Sequence, residues 1–169
     1  MDQADRDQLT FNALIHAGYN FAVTLPCGML KGLIRQVENS PDIIHVPLAR
    51  EEEGVGIAAG AYLGGRKPVM IVQSSGVANS LNSIASLSIV YQIPLLMIMS
   101  YRGSLYEFAP SQVPLGLGLE GILRSVGIPY FILDDSCKVE NLIFGADSLA
   151  KAGGRPVAVL LTRQPEGSP

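Results

Sequence analysis

Leu95-Leu-Met-Ile-Met99 is an unbroken apolar run between Pro94 and Ser100. A strand without polar alternation has no face to give to water, so it belongs in a sheet covered on both sides, as parallel sheets are. Shorter runs at 21–25, 43–48, 69–73, 130–133 and 157–161 repeat the pattern. Between them, apolar residues recur at helical spacing: Leu9, Phe11, Leu14 and Ile15, then Leu30, Leu33, Ile34 and Val37, then Leu81, Ile84, Ala85, Leu87 and Ile89. Six strands alternating with helices predict an α/β fold of three layers, αβα, around a six-stranded, mostly parallel, doubly wound sheet. No repeat, low-complexity block or linker interrupts the chain, so residues 1–169 are expected to form a single domain. At that length a fold buries roughly 70% of the surface its unfolded chain exposes.

Right-handed crossovers put the C-terminal ends of such strands on one edge, where ligands bind. That edge gathers Pro26 and Cys27, Arg50 to Glu53, Gln73 to Gly76, and Ser100 to Gly103. It also carries a segment of about fifteen residues, 101–115, long enough for a compact αβ unit to count as a candidate functional loop. The turns on the opposite edge, 18–20, 39–42, 65–68, 92–94 and 127–129, are short and chemically plain.

The densest chemistry follows the second strand: Arg50-Glu-Glu-Glu-Gly-Val-Gly-Ile-Ala-Ala-Gly-Ala-Tyr62. Three acids suit the positive end of a helix, and the Gly and Ala residues after them admit another backbone or a ligand. The same pattern also describes a charged helix start above a small-residue packing face. The acids would repel a pyrophosphate at that helix end, so packing is the reason assigned to Gly54, Gly56 and Gly60. Gly116 to Gly121 spell G-x-G-x-x-G but follow a loop where the dinucleotide fingerprint needs a strand end. Ser75 has no histidine partner in view, His16 and His45 read as structural, and no cluster of His, Cys and carboxylates reads as a metal site. Cys27 is either a thiol activated at a helix start or a small residue packed in a tight turn. Arg102 is either an anion contact, for which a guanidinium fork is suited, or an arginine closing the loop on Glu107.

Charged residues make up 16% of the chain against 48% hydrophobic ones. A surface so short of charge predicts an oligomer whose interface hides apolar area. Net charge is −3 with scattered Lys and Arg, which excludes the basic field that nucleic-acid partners need. Residues 1–8 are polar and acidic, and no apolar run approaches the roughly 20 residues of a membrane span. The expectation is a soluble cytoplasmic protein, with Cys27 and Cys137 as reduced thiols.

In combination, these pieces resemble a known class. The order of strand, Glu-rich turn, Ala-Ala-x-x-Tyr helix, Gly-rich turn, strand and Ser-Ser-Gly-x-x-Asn helix resembles the pyrimidine-binding domain of thiamine-diphosphate-dependent decarboxylases. Within that class, Leu25-Pro-Cys-Gly28, Arg50-Glu-Glu-Glu-Gly54, Gln73-Ser-Ser-Gly76 and Tyr101-Arg-Gly103 look most like the alpha chains of the sulfopyruvate decarboxylase family, with phosphonopyruvate decarboxylases the nearest relatives. The resemblance implies a catalytic glutamate six residues before the Ala pair, which selects Glu52, with Ala58, Ala59 and Tyr62 as markers and Glu51 as runner-up. A carboxyl group hydrogen-bonded to the pyrimidine ring nitrogen favours the reactive imino tautomer, and burial keeps such a group protonated. By the same resemblance Pro26, Cys27, Ser75 and Asn79 join Glu52 at the cofactor, while Arg102, Ser74 and Gln112 meet the substrate. Gln112 stands where phosphonopyruvate decarboxylases would have histidine. Nothing in the chain matches the Gly-Asp-Gly and later Asn that hold diphosphate and Mg2+, so the resemblance implies a beta subunit carrying that motif, with thiamine diphosphate between the two. The implied assembly is a hetero-oligomer, or a homodimer in isolation. The implied reaction turns 3-sulfopyruvate, a small anionic 2-oxo acid, into sulfoacetaldehyde and CO2; the alternatives are a phosphonopyruvate decarboxylase subunit or a non-catalytic regulatory partner.

Overall fold

The computed structural model describes residues 1–105, 107–134 and 138–163. Its strands are β1 (Phe21–Thr24), β2 (Ile44–Pro47), β3 (Pro68–Gln73), β4 (Leu95–Ser100), β5 (Tyr130–Leu133) and β6 (Pro156–Leu161). Its helices are α1 (Gln3–His16), α2 (Lys31–Glu38), α3 (Glu51–Leu63), α4 (Gly76–Ser83), α5 (Val113–Ser125) and α6 (Val139–Gly153). The sheet runs β2-β1-β3-β4-β6-β5, and all five pairings are parallel, so the expected mostly parallel sheet is parallel throughout.

The unbroken apolar runs are where full burial occurs. β4 and β6 are buried at every position and lie side by side at the centre, in register from Leu95 with Pro156 to Ser100 with Leu161. One face of the sheet packs on α1, α2 and α6 through Leu14, Leu33 and Ile143, and the other on α3, α4 and α5 through Val55, Val77 and Leu119. Three layers result. Among the described residues no helix is long and apolar enough to cross a membrane.

Two local readings change. The segment after β4 is less extended than expected, because Pro110–Gln112 form a 3-10 turn and α5 starts at Val113. Pro114 sits in the first turn of that helix, where its fixed φ is compatible and its missing N–H leaves no bond unmade. The helix after β3 switches at Ile84 to a π-helical stretch, Ile84–Ile89, where no expectation had placed one.

Packing explains Gly54 but not its neighbours. A Cβ on Gly54 would lie 2.6 Å from Leu48 Cδ1, whereas one on Gly56 or Gly60 would meet nothing within 4 Å. Those two glycines face outward, beside Ile57 and Leu63, which are both exposed. Cys27 is free and buried; Cys137 lies outside the described residues.

Candidate active site

β1 lies between β2 and β3, so successive crossovers leave it in opposite directions, and the crevice of an open α/β sheet opens at such a switch point. α3 begins after the edge strand β2, crosses β1 and packs on β3 and α4. That route brings its first turn against the turn that follows β3.

The three acids of that first turn have different fates. Glu51 is 6% exposed and points across to Gly76, where any Cβ would collide with the Glu51 side chain. Among the described residues no hydrogen bond or ion pair engages its carboxyl. Glu52 faces outward: its side chain is 40% exposed and pairs with Arg50 Nε at 3.0 Å. Glu53 is exposed and accepts the Ala49 N–H at 3.3 Å, as a capping residue would. The spacing argument selects Glu52, whereas the structure puts the runner-up, Glu51, in the more buried position.

A second group forms at the ends of β1, β3 and β4. Cys27 Sγ lies 3.3 Å from Ser100 Oγ, both buried, and Cys27 also adjoins the Arg102 guanidinium. Ser74 is buried, and its Oγ accepts the Arg102 N–H at 3.2 Å. Arg102, only 8% exposed, donates from Nε at 2.7 Å and Nη2 at 2.9 Å to the two oxygens of Glu107. The arginine therefore closes the loop on Glu107, as one of its two readings had it, but inside the protein and not at its surface. Glu107 raises the Arg102 guanidinium above its usual range, and Arg102 in turn holds the Glu107 carboxyl down at about 2.

The other expected residues are more scattered. Pro26 is exposed and, with Cys27 and Gly28, lines a groove of about 400 Å³ that runs along α2 past Lys31 and Arg35. Ser75 is half-buried at the start of α4 and accepts a hydrogen bond from Gln73 Nε2. Asn79 is exposed on α4, about one turn after Gly76. Gln112 is half-buried; its Oε1 is shielded from water and meets no donor. Its backbone, with that of Val113 and Gly116, crowds Gly103, whose φ of 71° requires glycine. His45, read as structural, has its Nε2 2.8 Å from Thr24 Oγ1 on the neighbouring strand.

Ser100 was missed as a site residue, and Glu107 entered only as a partner for Arg102. A serine ending an all-apolar strand at the binding edge was the available signal for the first. A carboxylate five residues after the arginine, in a loop, was the signal for the second. Among the described residues no group of three or more His, Cys, Asp or Glu side chains is placed to hold a metal ion.

Comparison with known proteins gives a consistent result. The family described as "Thiamine pyrophosphate enzyme, N-terminal TPP binding domain" matches residues 6–107. The chain is 41% identical over 154 residues to "Sulfopyruvate decarboxylase subunit alpha" of Methanococcus maripaludis, covering 91% of this chain and 92% of that one. It is 44% identical over 133 residues to "Sulfopyruvate decarboxylase" of Methanosarcina acetivorans, where the match takes in 76% of this chain but 34% of the longer relative. A solved 2-oxoglutarate:ferredoxin oxidoreductase from Magnetococcus marinus shares the fold at a TM-score of 0.73 and 17% identity, over 93% of this chain and 28% of that one. With relatives this similar along nearly its whole length, the chain belongs to the thiamine pyrophosphate enzymes, in the family of sulfopyruvate decarboxylase alpha subunits.

Proposed function

We propose that this chain is the pyrimidine-binding half of a decarboxylase that converts 3-sulfopyruvate to sulfoacetaldehyde and CO2, working with a beta subunit that holds the diphosphate and Mg2+. The observation that carries the reading is Glu51, a residue only 6% exposed whose side chain lies against Gly76 and whose carboxyl meets no donor among the described residues. A carboxyl held at the inner side of a helix start and left unpaired is available to a ligand that brings its own donor. Glu51 and Gly76 fit the aminopyrimidine of thiamine diphosphate: a carboxyl free to hydrogen-bond a ring nitrogen, beside a backbone without a side chain in the way. When bound, the cofactor supplies the electron sink that a 2-oxo acid needs in order to lose CO2.

The geometry supports one set of roles for this chain. Glu51 engages the ring nitrogen N1′ and biases the pyrimidine toward its imino tautomer. Ser75 and the start of α4 bound the ring's pocket, with Asn79 at its rim, while Pro26 and Cys27 form the wall at the end of β1. Arg102 provides the positive charge for the anionic substrate, supported by Ser74, and Gln112 offers an unmatched amide oxygen nearby. Water is excluded in part by this chain and in part by the partner, whose contact is the outward face of α3.

A second reading keeps Glu52 in the role, because the spacing to Ala58, Ala59 and Tyr62 favours it and an acid at the subunit boundary becomes buried on assembly. Glu51→Gln and Glu52→Gln, each assayed for CO2 release from 3-sulfopyruvate with the Gly-Asp-Gly-bearing subunit, thiamine diphosphate and Mg2+, separate the two. Glu51→Gln is expected to lose at least about a hundredfold in kcat, the scale of a positioned acid–base group, with Glu52→Gln retaining turnover. The reverse pattern moves the role to Glu52. Near wild-type rates for both variants would sink the assignment.

A further inference from the structure

The carboxylate of Glu107 sits in a place built for an anion. It receives Arg102 Nε at 2.7 Å and Nη2 at 2.9 Å, the Ala109 N–H at 2.9 Å and the Gly103 N–H at 3.2 Å. A guanidinium fork with two backbone N–H groups is a donor set that suits sulfonates and phosphates as well as carboxylates. The position lies at the working edge of the sheet, since Arg102 directly follows β4, hydrogen-bonds Ser74 through its backbone and adjoins Cys27.

The donors and the acceptor belong to different parts of the structure. The Arg102 fork and the Gly103 N–H are fixed to the strand end, with Gly103 packed against Gly116 of α5. Glu107 and Ala109 belong to the loop, which leaves Leu105 76% and Phe108 71% exposed. At the far end of the same loop Gln112 Oε1 is shielded from water with no donor. The loop is therefore held by a strong ion pair and by Phe108 against the Arg163 guanidinium, whose Cζ lies 4.2 Å from the ring centre, while Leu105 stands in water and Gln112 Oε1 goes unmatched.

We infer that Glu107 is a stand-in: the sulfonate of the substrate displaces it and takes the Arg102 fork and the Gly103 N–H. This rests on the decarboxylase reading and deepens it. Exchanging one anion for another never leaves the buried guanidinium uncompensated, which is the costly state for such a pair. A tetrahedral sulfonate offers three oxygens to the three donors that stay with the strand end. Glu107, tethered a few residues away, acts as an internal competitor whose effective concentration is in the millimolar range or above. The site would therefore discriminate against 2-oxo acids without a second anionic group, which have nothing to exchange with Glu107 while the reacting carboxylate is held at the cofactor.

Glu107→Gln keeps the size of the side chain and weakens the competitor, because charge-assisted hydrogen bonds are roughly twice as strong as neutral ones. In the assembled enzyme the variant is expected to lower KM for 3-sulfopyruvate by about tenfold, with the gain in KM and not in kcat, and to tighten methanesulfonate binding by a similar factor in calorimetry. Arg102→Gln should abolish that binding. An unchanged or raised KM, with unchanged or weaker methanesulfonate binding, overturns the proposal. A test without any variant guards against misfolding: methanesulfonate should inhibit the wild-type enzyme competitively against 3-sulfopyruvate, and absence of inhibition would also overturn it. If the pair releases no CO2 from 3-sulfopyruvate but methanesulfonate still binds, more tightly in Glu107→Gln and not in Arg102→Gln, the anion site stands and the substrate reading fails.

Discussion

The two edges of the sheet bury acids in opposite ways. At the N-terminal edge, Asp147 of α6 accepts from Tyr19 Oη at 2.8 Å, Lys67 Nζ at 2.8 Å and Lys151 Nζ at 2.9 Å, and Lys67 also lies 4.3 Å from the centre of the Tyr19 ring. At the C-terminal edge, Glu51 is buried to a similar depth with no partner among the described residues. A saturated acid ties elements together, here the starts of β1 and β3 to α6. An unpaired one at the working edge is open to a partner from outside the chain. Glu107 belongs to neither type: it is saturated, yet it lies at the working edge.

The strongest break of that comparison is Asp147→Ala. It leaves the Tyr19 hydroxyl without its acceptor and Lys67 with only the Ala17 carbonyl in place of a counter-charge, and losing one side of such a network costs about 3 kcal/mol. Urea denaturation should show a loss of that order. Glu51→Gln should leave stability unchanged or raise it, since it replaces an unpaired acid with a neutral group. If Glu51→Gln destabilised as much as Asp147→Ala, the contrast between staple and site would be wrong.

Acid should sharpen the same contrast. Burial by itself raises the Asp147 carboxyl, but hydrogen bonds from Lys67, Lys151 and Tyr19 bring it below its ordinary value; the Arg102 fork holds Glu107 at about 2. Burial lowers the Lys67 ammonium in the same network, whereas Lys151 is raised by its bond to Asp147. A carboxylate depressed by folding contributes stability that is complete above its unfolded value and is lost as pH falls toward its folded value. For Glu107 that window runs from 4.5 down to about 2. Between about pH 5 and pH 3 the wild-type chain should therefore lose on the order of 1–2 kcal/mol more than Glu107→Gln, after allowance for screening at the loop. Equal losses in both proteins would show that the Arg102–Glu107 pair adds nothing to the fold.

Where the sequence could be read and where it could not follows from the range of each signal. Apolar runs and helical periodicity are local, so all six strands and the helices between them were legible, and β4 gave away the parallel sheet by running apolar without a break from Leu95 to Met99. The edge that gathers Cys27, Ser74 and Arg102 was legible too, because strand ends in a parallel sheet share one side. Which of Glu51 and Glu52 turns inward was not, since neighbouring residues on a helix differ by about 100° and only the packing of α3 on β3 decides between them. The Tyr19–Lys67–Asp147–Lys151 network was invisible because it joins residues from three distant segments, and turns on that edge had looked chemically plain. Gly56 and Gly60 were assigned to internal packing with Gly54, although only Gly54 meets the sheet.

Those two glycines give the smallest expected effect and the most direct test of what the open surfaces are for. Glycine inside a helix costs up to about 1 kcal/mol relative to alanine, and a Cβ on Gly60 would meet nothing in this chain. In isolation, Gly60→Ala should therefore stabilise α3 by up to that amount in thermal or urea melts. Beyond Glu53 in the first turn, the outward face it shares with Gly56, Ile57 and Leu63 has no polar side chain to suit it to water, and small residues are useful where another backbone comes close. If the beta subunit packs there, the same methyl group that stabilises the free chain should weaken the assembled enzyme, and sedimentation of the mixed subunits would show a higher dissociation constant. Stabilisation with unchanged assembly would mean that α3 presents its glycines to solvent and that the partner docks elsewhere, which would take the first turn of α3, and Glu52 with it, away from the subunit boundary.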